Sequence, residues 1–140
     1  MSTTTNQLVM LVDDSKIDLF LNRKFLNVAG ISANTLDFLS AKEALQYIEE
    51  NAKHPDKLPL LILLDVKMPE INGFQFLEHY KKIKQNIKKD IKIIMLSSTI
   101  DPVDLNRARD SEHVFDILKK PLNPNVLKEA LKAQKIKWVA

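Results

Sequence analysis

The chain has 140 residues, 45% of them hydrophobic and 28% charged, with a formal net charge of +3, which suits a single globular domain with a real core. It contains no cysteine, which excludes a disulfide frame, a thiolate metal site and a cysteine nucleophile. Its three histidines, at positions 54, 79 and 113, lack the HExxH spacing of a zinc hydrolase, and no apolar run approaches the roughly 18 residues of a membrane span.

Residues 1–7 form a polar start without the basic region and apolar core of a secretory signal. They read as a disordered tail on a cytoplasmic protein, with residues 8–140 as the domain proper. Leu8-Val9-Met10-Leu11-Val12 is a short apolar run that ends in Asp13-Asp14. Ile17, Phe20, Leu21, Phe25 and Val28 then recur at helical spacing, and Gly30 is a natural stop. Asn34 to Phe38 is the weakest strand candidate, short and mixed in polarity. Ser40 and Glu43 have the spacing of a capping box, ahead of a stripe of Ala41, Ala44, Leu45 and Ile48. The two prolines between His54 and Pro59 break either kind of element.

Leu60-Leu61-Ile62-Leu63-Leu64 is a run of five apolar residues that meets Asp65. Such a run reads as a strand buried on both faces, as in a parallel sheet covered by helices. Asp65 either caps the next turn or stands at a ligand-binding edge. Met68-Pro69-Glu70-Ile71-Asn72-Gly73 is a turn with a strong Asn-Gly signal, and Phe76, Leu77, Tyr80 and Ile83 mark one face of a third helix. Ile91 to Leu96 is a strand followed by Ser97-Ser98-Thr99. Asp101-Pro102 and Asn123-Pro124 each pair an N-cap residue with proline at the first helical position. Leu105 and Ala108 give the fourth helix a thin apolar face. Val114 to Leu118 is a fifth strand, followed by Lys119-Lys120-Pro121. The final helix carries Leu127, Ala130 and Leu131 and extends as far as Trp138. The lysines between Lys81 and Lys92 and at the C-terminal end read as solvated faces, because no arginine cluster or interleaved aromatic supports nucleic-acid reading.

Strand and helix alternate five times, which implies a parallel sheet with helices on both faces and right-handed crossovers. Parallel strands point the same way. Asp13, Asp14, Asp65, Ser97 and Lys120 therefore collect at one edge of the sheet. Three carboxylates together repel one another, and a hard cation such as Mg²⁺ with phosphate oxygens resolves the repulsion. An aspartate can attack phosphorus, and a lysine and a hydroxyl can then hold the new phosphoryl oxygens. A slip of one residue would put Ser98 or Lys119 in place of Ser97 or Lys120.

On these residues the chain resembles the receiver domain of bacterial two-component response regulators, in the stand-alone, CheY-like form. The acidic pair Asp13-Asp14, Asp65 with Met68-Pro69 and Gly73, the hydroxyl Ser97, and Lys120-Pro121 carry the likeness, over about Leu8 to Ala133. The resemblance implies a flavodoxin-like (βα)5 doubly wound sheet of strand order 2-1-3-4-5. It implies that Asp65 accepts a phosphoryl group from a phosphohistidine on a sensor histidine kinase or a histidine phosphotransfer protein. It implies Mg²⁺ held by Asp13, Asp14, Asp65 and the backbone carbonyl of Lys67, phosphoryl oxygens held by Ser97 and Lys120, and dephosphorylation tuned by Lys67 and Thr99. The output would be phosphorylation-dependent binding of a protein target by a monomer or weak homodimer.

The sequence departs from the family pattern at Ile117. Many receivers carry an aromatic switch residue at that place, three before the lysine. Phe115 is two residues earlier, on the same strand face by simple alternation. Three other readings compete. A haloacid-dehalogenase-type phosphatase would want an acid where Lys67 stands. A flavin binder would want a phosphate loop where Asp13-Asp14 stand. A scaffold independent of phosphorylation would have no need of the intact set.

Overall fold

The computed structural model describes residues 7–31 and 34–133. Five strands, β1 (Leu8–Val12), β2 (Asn34–Phe38), β3 (Leu61–Asp65), β4 (Lys92–Ser97) and β5 (Val114–Lys119), alternate with five helices. The helices are α1 (Lys16–Val28), α2 (Ala41–Glu50), α3 (Gly73–Lys84), α4 (Pro102–Asp110) and α5 (Pro124–Ala133). Every strand pair is parallel, and the order is β2-β1-β3-β4-β5. This is the parallel sheet that the alternation implies, in the flavodoxin-like (βα)5 order 2-1-3-4-5 that the resemblance implies. The expected course of the last helix beyond Ala133 and the polar start up to Asn6 lie outside the described residues. Gln7 does not belong with a free tail: it is buried, and its carbonyl accepts from the Asn34 amide at 2.9 Å, one step ahead of the β1–β2 ladder.

Strand alternation divides the core in two. Met10, Val12, Ile62, Leu64, Ile93 and Met95 face one cluster, which α2 and α3 cover with residues such as Ile48, Phe76 and Tyr80. Val9, Leu11, Leu61, Leu63, Ile94 and Leu96 face the other, covered by Leu19, Leu26, Leu127 and Leu131 of α1 and α5. Each buried aliphatic side chain contributes roughly 1.5–3 kcal/mol. The continuous apolar runs of β1 and β3 are therefore the sequence's main commitment to this arrangement. β2 is an edge strand with no fully buried residue, which is why its pattern is weak.

Three local expectations need correction. In α1 the buried residues are Leu19, Asn22 and Leu26, whereas Ile17, Phe20 and Val28 are exposed. The helix carries apolar residues on two faces, and periodicity alone cannot choose which one meets the sheet. Asn72-Gly73 is a helix start rather than a reverse turn. Asn72 caps α3, exchanging hydrogen bonds with Gln75 in a full capping box. Gly73 sits so close to β3 that a Cβ there would lie 2.7 Å from the Asp65 carbonyl oxygen. Finally, Phe115 and Ile117 are on opposite faces of the sheet. The β4–β5 register pairs Ile93 with Val114 and Ile94 with Asp116, so one extra residue enters β5. Such a bulge breaks simple alternation. Ile117 joins the α2–α3 cluster, and Phe115 packs against the α1–α5 cluster.

Candidate functional site at the carboxyl edge of the sheet

The edge where the strands end is built by backbone continuation beyond each ladder. The Asp13 amide donates to the Phe38 carbonyl at 3.1 Å, the Val66 amide to Leu96 at 2.9 Å, and the Lys120 amide to Ser97 at 2.8 Å. These bonds carry sheet geometry one residue past β1, β3 and β5. They fix the backbones of Asp13 and Lys120 and of the segment that follows Asp65. The Gly73 amide donates to Val66 at 2.8 Å and draws the start of α3 over the same corner. Only a residue without a side chain tolerates that approach.

Asp13 and Asp65 are buried, at 1% and 5% exposure, and Asp14 is exposed. One carboxylate oxygen from each of the three lies within 4.8 Å of the others. Lys120 reaches into this group. Its Nζ is 2.7 Å from Asp13 Oδ2, 3.1 Å from Asp65 Oδ1 and 3.0 Å from Asp18 Oδ2. Asp13 also accepts from the Ser15 amide through Oδ1 at 2.9 Å. The expected slip alternatives stand apart: Lys119 and Ser98 are exposed, and Ser97 is buried. The Ser97 hydroxyl is engaged in its own turn. It donates to the Thr99 carbonyl at 2.7 Å and accepts from the Thr99 amide at 3.3 Å. Thr99 and Lys67 are exposed at the rim. Ile117, 8% exposed, lies three residues before Lys120 under the α2–α3 face.

The electrostatics follow from this burial. Loss of water, reinforced by repulsion from Asp13, pushes the Asp65 carboxyl up to about 6, against the pull of Lys120. Burial also raises Asp13, opposed by hydrogen bonds from Lys120 and the Ser15 amide. Burial alone would lower Lys120. Its hydrogen bonds to Asp13 and Asp18 and the charges of Asp13 and Asp65 outweigh that and hold it above the ordinary lysine range. One ammonium thus faces more negative charge than it can neutralise. The donors available to a cation are all oxygens, the set that suits a hard divalent ion such as Mg²⁺.

Sequence reasoning did not single out Asp18. An acidic residue in the first turn of a helix ordinarily answers the helix dipole. Asp18, with its amide donating to Ser15 Oγ at 3.2 Å, looks like that and no more. Its contact with Lys120 crosses 102 positions of sequence and leaves no local pattern.

Comparison with known proteins agrees with this geometry. The family model described as the response regulator receiver domain matches residues 9–132. Among solved structures, the chain is similar to a two-component response regulator from Cytophaga hutchinsonii, at 28% identity and a TM-score of 0.83, covering 93% of this chain and 97% of that one. It is 30% identical over 118 residues to the two-component response regulator ORR3 of Oryza sativa subsp. indica, covering 84% of this chain and 82% of that protein. It is also 28% identical over 131 residues to the sensor histidine kinase CheAY of Helicobacter pylori, of whose length it spans 15%. Matched over nearly its whole described length, the chain belongs to the response regulator receiver domain family.

Proposed function

We propose that the protein takes a phosphoryl group from a phosphohistidine onto Asp65 in a Mg²⁺-dependent reaction, and signals by binding a protein partner differently once phosphorylated. The observation that carries this reading is the buried Asp65 carboxyl, flanked by Asp13 and 3.1 Å from the Lys120 ammonium. A carboxylate held among other carboxylates and a single lysine is poised for a cationic or electrophilic partner. In the transfer, the histidine N–P bond breaks as a bond forms between phosphorus and a carboxylate oxygen of Asp65, and the freed imidazole takes up a proton. Asp13, Asp14 and Asp65, with the backbone carbonyl of Lys67, would hold a Mg²⁺ ion whose charge offsets that of the phosphoryl oxygens. Lys120 donates to one phosphoryl oxygen. Ser97 donates to another after its hydroxyl leaves the Thr99 carbonyl, which draws the β4–α4 loop toward Asp65.

The donor is a sensor histidine kinase or a histidine phosphotransfer protein, a reading supported by the chain's likeness both to response regulators and to part of a sensor kinase. The downstream partner is a protein whose affinity differs between the two states, since only differential affinity shifts such an equilibrium. Ile117 leaves the switch without an aromatic relay, and the bulge keeps Phe115 from replacing it. The Ser97 loop is therefore the element that carries the change. Among the described residues no helix is long and apolar enough to cross a membrane.

Intact mass after incubation with acetyl phosphate and Mg²⁺ tests the proposal. The wild type should gain one phosphoryl group, and Asp65→Asn should gain none. An unmodified wild type, or equal modification of the variant, sinks the reading. Lys67 and Thr99, two residues beyond Asp65 and Ser97 and both exposed, would flank the path of hydrolytic water. Substituting either should change the decay of the phosphorylated mass while leaving Mg²⁺ affinity nearly unchanged. Decay that ignores both substitutions removes that role.

A further inference from the structure

We propose that Asp18 is a positioning residue that acts as a brake, holding one of the Lys120 donors away from the phosphoryl group that Asp65 would receive. The inference rests on Asp65 as the phosphoacceptor. An ammonium has three N–H donors. Lys120 hydrogen-bonds to Asp13 Oδ2 at 2.7 Å and to Asp18 Oδ2 at 3.0 Å, and its Nζ forms an ion pair with Asp65 Oδ1 at 3.1 Å. Two of its three donors are therefore given to Asp13 and Asp18, while its charge also faces Asp65.

The three carboxylates are not equivalent. Asp65 is the acceptor, and Asp13 belongs with Asp14 and Asp65 to the group whose oxygens converge within 4.8 Å. Asp18 is outside that group, on the first turn of α1, where its amide is fixed by Ser15 Oγ at 3.2 Å. Asp18 is not needed to aim Lys120. The buried Asp13 does that at the shortest of the three distances, and the Lys120 amide is anchored to the Ser97 carbonyl at 2.8 Å. Asp18 is thus a surplus acceptor for the one cation the site possesses.

A phosphoryl group on Asp65 brings further acceptor oxygens and negative charge. Lys120 must turn a donor toward them, and the donor now given to Asp18 is the one the site can spare. Breaking that contact opposes phosphorylation. Direct repulsion between Asp18 and the phosphoryl group is a smaller matter, because the Asp18 side chain is 36% exposed and water screens it. Asp18 therefore acts through Lys120.

The test titrates beryllofluoride, a non-covalent phosphoryl mimic, into the full chain at saturating Mg²⁺, read by fluorine NMR. Asp18→Asn should bind it about two- to fivefold more tightly than wild type, the range of a half-exposed ion pair. In a Lys120→Gln background the same substitution should change nothing. Unchanged or weaker binding in Asp18→Asn overturns the brake, as does an equal gain without Lys120, which would make Asp18 a matter of net charge only. A second readout needs neither Mg²⁺ nor beryllofluoride. Asp18→Asn should move the NMR resonance of the Lys120 ε-methylene, and an unmoved resonance removes the contact on which the inference stands. If the wild type takes up neither beryllofluoride nor acetyl phosphate, the phosphoacceptor reading falls and the brake falls with it. If the wild type takes up both and Asp18→Asn behaves identically, the brake alone is lost.

Discussion

The two edges of the sheet each hold a partly buried lysine, and the two lysines are driven in opposite directions. At the carboxyl edge Lys120 faces Asp13, Asp18 and Asp65 and is raised above the ordinary lysine range, burial notwithstanding. At the amino edge Lys89 donates to the Pro55 and Leu58 carbonyls, both at 2.8 Å, ahead of β3, and burial lowers it. Neutral carbonyls satisfy hydrogen-bonding capacity without answering charge, whereas carboxylates do both. The amino edge is a closed tie between loops. Lys84 reinforces it by donating to the Lys89 carbonyl at 2.9 Å. The carboxyl edge remains electrostatically unfinished, with three converging acids and one ammonium. The fold thus tolerates instability where a ligand can relieve it.

Removing Lys120 should break the contrast most severely. Lys120→Met leaves Asp13 and Asp65 buried without their cation, and losing one partner of a buried pair costs about 3–5 kcal/mol. The loss should be greatest near pH 7.5. It should shrink as pH falls below about 6, because Asp65 then takes up a proton and no longer needs the ammonium. Urea unfolding at pH 7.5 and pH 5 measures this. A loss independent of pH would show that Lys120 stabilises by packing and not by charge.

Asp65→Asn should have the next largest effect, and it should be stabilising. The Asp65 carboxyl is raised from 3.8 to about 6, so the folded state binds a proton more tightly than the unfolded state does. Between those values stability falls as pH rises, and above about 6 the full penalty of an ionised Asp65 is present. At about 1.4 kcal/mol per unit, removing that charge should raise stability by about 3 kcal/mol at pH 7.5. The gain should fade toward pH 4, where the wild-type carboxyl is already protonated. A variant less stable than wild type at pH 7.5 would contradict the idea of an edge held in tension.

The contrast also marks what could be read from the chain unaided. The runs Leu8–Val12 and Leu60–Leu64 marked the buried parallel strands and the carboxyl edge, because full burial on both faces leaves no polar position to blur the signal, whereas the strand order came from the family resemblance. Asp13, Asp14, Asp65, Ser97 and Lys120 were legible as a set because a parallel sheet brings strand ends to one side, wherever they fall in sequence. The orientation of α1 was not legible, since Ile17, Phe20 and Val28 are as apolar as the residues that are buried. The faces of Phe115 and Ile117 were misread because a bulge shifts parity without a signature of its own. Asp18 and Lys89 were invisible for a shared reason. Each makes its decisive contact across the fold, with Lys120 and with Pro55 and Leu58, and a charged side chain in a helix turn or a lysine-rich connection looks solvated by default.

At the amino edge a substitution should cost far less. Lys89→Met keeps most of the aliphatic stem and removes the two hydrogen bonds that tie Pro55 and Leu58 to the approach to β4. The Pro55 carbonyl lies in an exposed stretch and can turn to water, whereas Leu58 is 1% exposed and its carbonyl loses a partner. Losing the lysine also relieves the cost of its own burial, which offsets part of what the bonds contribute. The net loss should be about 1 kcal/mol, seen as a lower urea midpoint. Uptake of phosphoryl from acetyl phosphate and its decay should match wild type, because the tie and the acids stand at opposite ends of β3 and β4. If Lys89→Met instead altered the phosphorylated fraction, the two edges would be coupled through those strands. The amino edge would then be part of the signalling device and not only its foundation.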